Sequence, residues 1–231
     1  MTNNRLLLSL VLFSMLIILP LELMAHGVDE NTRNFLLNNT GVQFIVFVYI
    51  GAKHMVTGYD HLLFLIGVIF FLYKSRDIIL YVSMFTIGHS LTLLFGVLCN
   101  LQVNAYLIDA VIGLSVVYKG FDNLGGFKKV LGYTPNTKAV VLIFGLFHGL
   151  GLATKLQEFS LPQDSLFTNL VAFNLGVELG QLFALMLILL AFSFWRKYKY
   201  FNLFATTANT LLMSAGFILI SFQLTGFFIT N

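Results

Sequence analysis

Four histidines and three carboxylates lie inside stretches of sequence that are otherwise apolar. The first stretch contains His54-Met55-Val56-Thr57-Gly58-Tyr59-Asp60-His61, and the second Phe85-Thr86-Ile87-Gly88-His89-Ser90-Leu91-Thr92. The third has Asp109 with Ser115 two turns on, the fourth His148, and the fifth Asn174, Glu178 and Gln181. An ionisable group at hydrocarbon depth costs roughly 2.5–3.5 kcal/mol on insertion scales, so each needs a partner and a reason. Neutral imidazole and carboxylate together suit first-row divalent ions such as Ni²⁺, Co²⁺ and Zn²⁺. Cu(I) fits less well, since Cys99 is the single cysteine and the methionines are scattered. A transported ion needs such ligands without a closed four-coordinate cage that would trap it. The metal-contacting candidates are His54, Asp60, His61, His89, Asp109, His148 and Glu178. Ser90, Thr92, Asn174 and Gln181 are candidates to fix the histidine tautomers. One histidine on an apolar helix is more often satisfied by a nearby carbonyl or hydroxyl; four with three carboxylates favour a shared metal or proton pathway.

The elements that must carry these residues follow from composition. Of 231 residues, 58% are hydrophobic and 10% charged, too little charge to cover a soluble domain. Six apolar segments follow the N-terminal region: 41–73, 78–98, 101–119, 139–153, 166–195 and 200–229. A spanning helix needs about 20 apolar residues and a barrel strand only about 10, so these are helices. The expectation is an all-α polytopic bundle of six transmembrane helices. The first segment is too long for one straight span, since its 33 residues would run ~50 Å against a ~30 Å core. A bend or break near Gly58 follows, with 41–57 tilted or lying toward the outer face. Helical spacing puts His54, Gly58 and His61 on one face, and Asn174, Glu178 and Gln181 on another. At 1.5 Å per residue, His89 and His148 lie ~16 and ~14 Å from one end of their helices; Glu178 and Asp109 lie ~18 and ~10 Å from the other.

Loop charge orients the bundle. One set of alternate loops carries Lys74, Arg76, Lys128, Lys129, Lys138, Arg196, Lys197 and Lys199 against Asp77 and Asp122. The opposite set has Arg33 and Lys155 against Asp29, Glu30, Glu158 and Asp164. The positive-inside rule makes the first set cytoplasmic, with both mature termini outside. The net charge of +3 is thus a topology signal rather than a nucleic-acid patch. Residues 1–25 are built as a signal peptide: Arg5, an apolar run over 6–20, then Ala25 before the cut. An uncleaved anchor helix is the alternative. Cleavage would leave His26 as the mature N-terminus and an ion-access ligand, 26–40 as an external segment, and 41–231 as one six-span domain in the bacterial inner (plasma) membrane.

A short internal echo is present: Phe85-x-x-x-His89-Ser-Leu-x-Leu against Phe144-x-x-x-His148-Gly-Leu-x-Leu. Each lies on a helix running outward and precedes a returning helix with one buried acid, a hint of parallel repeats with the site between them.

Four blocks carry a resemblance to a known family: His54-x-x-x-Gly58-x-Asp60-His61-Leu-Leu-Phe-Leu, Phe85-Thr-x-x-His89-Ser-Leu-Thr-Leu, Phe144-Gly-Leu-x-His148-Gly-x-Gly and Phe173-Asn-x-Gly176-Val-Glu178-Leu-Gly180-Gln181. With the Ala25-His26 junction they make the chain resemble the HupE/UreJ membrane proteins, associated with hydrogenase and urease loci and regarded as nickel permeases. The third-helix Glu usual in that family is here Asp109, in Asp109-Ala-Val-Ile-Gly-Leu-Ser115, which keeps the charge and shortens the reach. The resemblance implies transport of Ni²⁺ or Co²⁺ and metalloenzyme maturation proteins as possible partners. The residues alone imply a polar pathway. Two other functions compete. An intramembrane zinc hydrolase would use His89, Asp109, His148 and Ser90 around a metal-bound water, although no His-Glu-x-x-His sequence occurs. A non-transporting metalloenzyme assembly partner would need more docking surface than these short loops offer. No catalytic residue is assigned.

Overall fold

The computed structural model describes residues 41–157 and 165–230. The expected signal peptide, His26, the segment 26–40 and the loop acids Glu158 and Asp164 lie outside the described residues. Every regular element among the described residues is helical: α1 Phe44–Thr57, α2 Tyr59–Ile69, α3 Ser75–Leu98, α4 Ala105–Asn123, α5 Gly126–Leu131, α6 Thr137–Gln157, α7 Leu166–Trp195 and α8 Phe201–Thr230.

The long first segment breaks at Gly58, whose ψ of 96° leaves the helical region between α1 and α2. The two halves together run beside α7, a helix of 30 residues or ~45 Å. At the start, Gln43 N–H donates to Asn169 Oδ1 at 2.9 Å, which sets α1 and α7 level and parallel. At the finish, the Arg196 guanidinium donates to the carbonyls of Ile69, Phe70 and Leu72, at and just past the end of α2. Partial burial pulls the Arg196 pKa below its ordinary value, and the nearby Tyr73 works against that.

Helices pack in close pairs: α1 with α7, α3 with α6, and α4 with α8. Small residues allow the backbones to touch. A Cβ on Gly145 would meet the Phe85 backbone, and one on Gly149 the His89 carbonyl, so α3 and α6 run parallel with those residues level. Along α4 and α8 the order reverses: Gly113 faces Ile220 and Gly120 faces Asn209. Successive long elements therefore alternate in direction, and the lysines and arginines of the first loop set gather at one end, here called the basic end. There the Asn123 amide ties α4 to α2 through the Gly67 carbonyl at 2.9 Å.

Helices α3, α6, α7 and α8 are long and apolar enough to cross a membrane. Helices α1 and α2 are apolar but short, and α4 carries Asp109, Lys119 and Asp122 in 19 residues. Apolar side chains such as Ile87, Leu91, Phe95, Leu182 and Ile218 face outward. The fourth expected segment extends beyond 153 to Gln157, which brings Lys155 into the last turn of α6. The third extends to Asn123, so Asp122 belongs to α4, paired with the buried Lys119 at 2.6 Å.

Two apolar clusters fill the interior. One surrounds α2 toward the basic end, from Phe64 to Phe70, with Phe85 and Phe144. The other joins α1, the start of α7 and the far halves of α3 and α6, with Met55, Leu93, Leu152 and Phe173. The histidines fall at the level between them, and α2 is the short central element that touches α3, α4, α7 and α8.

Candidate metal-binding site

His61 stands in the first turn of α2, where the break at Gly58 turns it inward. Its ring lies 4.8 Å from His148, 5.1 Å from His54 and 5.8 Å from His89, centroid to centroid. Its Nδ1 is 3.0 Å from Asp60 Oδ1. Asp60, His61 and His148 each offer one donor atom, all within 4.8 Å of one another. Two donors at about 2.1 Å from one ion can stand at most ~4.2 Å apart, so capture requires this set to close by less than about 1 Å. Asp60, His61, His89 and His148 are all at most 3% exposed, while His54 is half-buried at the end of α1. With neutral imidazoles the cluster carries the single negative charge of Asp60, which a divalent cation would invert.

Gly58 is small for a reason of space rather than conformation. A Cβ there would stand 2.9 Å from both the His54 carbonyl and His61 Nδ1, and 3.3 Å from Asp60 Oδ1. Gly149 does the same service between α3 and α6 at the level of His89.

The supporting hydroxyls divide differently from the sequence expectation. Thr92 donates to the Leu146 carbonyl at 2.6 Å, so it joins α3 to α6 rather than orienting a ring. Ser90 Oγ makes no hydrogen bond among the described residues. Ser115, fully buried on α4, is the hydroxyl that meets an imidazole: its Oγ is 3.2 Å from His148 Nε2. In the sequence Ser115 stands out only as a neighbour of Asp109; the signal it offers is a polar residue six positions on in the same apolar helix.

The remaining candidates flank this centre. Asp109 Oδ2 is held by Lys155 Nζ at 2.7 Å, a partner that the sequence assigned to a loop. Asn174 Nδ2 donates to Glu178 Oε1 at 3.5 Å, and both are half-buried on α7. Gln181 is buried, and its Oε1 accepts from Thr86 Oγ1 at 2.9 Å. A narrow cavity with room for about one water lies beside Gln181 and His61 and extends toward Val68 and Tyr81. The arrangement can bind a cation through imidazole and carboxylate from α2 and α6, with His54 and His89 alongside.

Residues 30–231 match a family model described as HupE / UreJ protein. Neither the curated proteins nor the solved structures compared with the chain gave a match.

Proposed function

We propose, since the chain belongs to the HupE/UreJ family, that it is a membrane permease for a divalent transition-metal cation, Ni²⁺ or Co²⁺. The observation that carries this reading is the convergence of Asp60, His61 and His148, buried and within 4.8 Å, on elements separated by more than 80 residues of sequence. Borderline ions of this kind take imidazole and carboxylate together, and a three-donor set leaves coordination positions open for exchange. Zn²⁺ fits the same donors.

In this reading the chain crosses the bilayer six times: the broken pair α1–α2, then α3, α4, α6, α7 and α8. Residues 1–25 are the signal peptide, 26–40 the external segment, and the basic end faces the cytoplasm of a bacterial cell. The ion meets His26 and His54 from outside, is held by Asp60, His61, His89 and His148, and is flanked by Asp109 and Glu178. Ser90, Asn174 and Gln181 support the pathway. The protein is a carrier and not an enzyme.

Uptake of radiolabelled Ni²⁺ and Co²⁺ into proteoliposomes containing the full chain tests this. Saturable uptake, reduced at least about tenfold in a correctly inserted His89→Ala/His148→Ala variant, is expected. Equal uptake by the variant overturns it. Retention of one tightly bound Zn²⁺ without transport of any divalent ion would favour the hydrolase instead.

A further inference from the structure

Each of three site histidines has a phenylalanine one turn nearer the basic end, although the helices run in opposite directions. On α2, which descends toward that end, the pair is His61 and Phe64; on the ascending α3 and α6 it is His89 with Phe85, and His148 with Phe144. The echo between the Phe85 and Phe144 segments is therefore a repeated step, and α2 completes it from the other direction. The three rings form one layer: Phe64 lies 5.3 Å from Phe85 and 5.9 Å from Phe144, centroid to centroid. That layer abuts the imidazoles, with Phe85 at 5.0 Å and Phe64 at 5.4 Å from His148. All three are at most 8% exposed. The narrow cavity runs past Phe64 and Phe85, from His61 and Gln181 on the site's side to Val68, Tyr81, Val82 and Val141 toward the basic end, with room there for about one water.

We infer that Phe64, Phe85 and Phe144 form the barrier between the ion site and the cytoplasmic end, and that they select for a cation able to shed its water. This rests on the permease reading. Above the layer the ion meets nitrogen and oxygen donors; along the rings the lining is mainly carbon, which cannot replace a hydration shell. An apolar constriction of this kind closes by excluding water. Mg²⁺ prefers oxygen ligands and gains little from imidazole, so it keeps its water at the site and is refused at the rings; an ion that exchanged water for imidazole arrives dehydrated. Ordinary core packing would explain three buried phenylalanines, but it would not explain why each accompanies a site histidine at the same step.

The test separates barrier from permease. In a Cys99→Ser background, a Ser115→Cys thiol placed beside His148 is challenged by a membrane-impermeant methanethiosulfonate from the cytoplasmic face of oriented vesicles. Labelling is expected to be slow with the rings intact and at least about tenfold faster in Phe64→Ala/Phe144→Ala. The Phe64→Leu/Phe144→Leu variant keeps the barrier apolar and stays slow. Without the thiol, the Ala variant should admit Mg²⁺ into proteoliposomes at least about tenfold faster than the unaltered chain. If the double variant does not insert, Phe85→Ala takes its place in both assays. Fast labelling of the intact chain, equal labelling with and without the rings, or an unchanged Mg²⁺ flux overturns the inference. A ring-dependent labelling rate in a chain that moves neither Ni²⁺ nor Co²⁺ would leave the barrier standing and refute the permease.

Discussion

Ser115 accepts a hydrogen bond from the Nε2–H of His148. The hydroxyl has one proton, and it goes to the Ile112 carbonyl at 2.6 Å, so at the 3.2 Å contact with the ring Ser115 is the acceptor. The contact thus holds His148 in the tautomer that carries its proton on Nε2. Replacing Ser115 by Ala releases the tautomer and should weaken Ni²⁺ binding about 10- to 100-fold, the usual effect of losing an outer-shell partner. Ser115→Thr should restore most of it. Competition titration with a chelating dye reads the affinity, and equal affinity in Ser115→Ala would sink the assignment.

Gly58→Ala separates site from fold. The added methyl meets His61 Nδ1 and the His54 carbonyl, both at 2.9 Å, so either the ring or the break must shift. Alanine itself favours helix by about 1 kcal/mol over glycine, so helix content should hold. The expected result is an unchanged circular dichroism spectrum with metal affinity lowered by at least about tenfold. Retained affinity would show that the break tolerates a side chain.

How far these features were legible in the sequence depends on whether local pattern or side-chain reach decides them. The break at Gly58 was legible because a mainly apolar segment of 33 residues exceeds a bilayer and a glycine stood at the needed point. The level match of His89 and His148 followed from counting turns along two helices that start at the same face. Lys155 was misplaced because its helix runs to Gln157 and a long flexible stem carries its charge inward, which a loop charge count does not register. Thr92 and Ser115 both offer a hydroxyl in an apolar helix, and only the packing of α6 decides that one reaches a backbone carbonyl and the other a ring. The six-span reading rests on α4 and on the α1–α2 pair, which are the least apolar and the least continuous of the six.

The ion pair between Lys155 and Asp109 predicts a strong non-additivity. Their side chains are 14% and 5% exposed, so removing either leaves a nearly buried charge uncompensated. Lys155→Met should cost about 3–5 kcal/mol, and adding Asp109→Asn should recover most of that. Thermal unfolding in detergent for the two single variants and the double variant gives the coupling. Additive losses would mean that the pair is solvated and of little consequence.

Arg196 predicts a coupling between the basic end and the ion site, because it holds the C-terminus of the helix that carries His61. Its guanidinium reaches three α2-end carbonyls and lies over the rings of Tyr73 and Phe192 at 4.6 and 4.8 Å. A lysine has no planar fork and cannot reach the three oxygens together, so Arg196→Lys should behave as a loss rather than a conservative change. Hydrogen bonds from a charged donor contribute about 1.5–3 kcal/mol each, partly recovered by water at this end, so a loss of about 2–4 kcal/mol is expected. Hydrogen exchange should show the distinctive consequence: faster exchange along 59–69 in Arg196→Lys, with α3 and α6 unchanged. If α2 exchanged no faster, the short helix would be held by its apolar packing alone, and Arg196 would be a surface anchor without influence on the histidine it sits beneath.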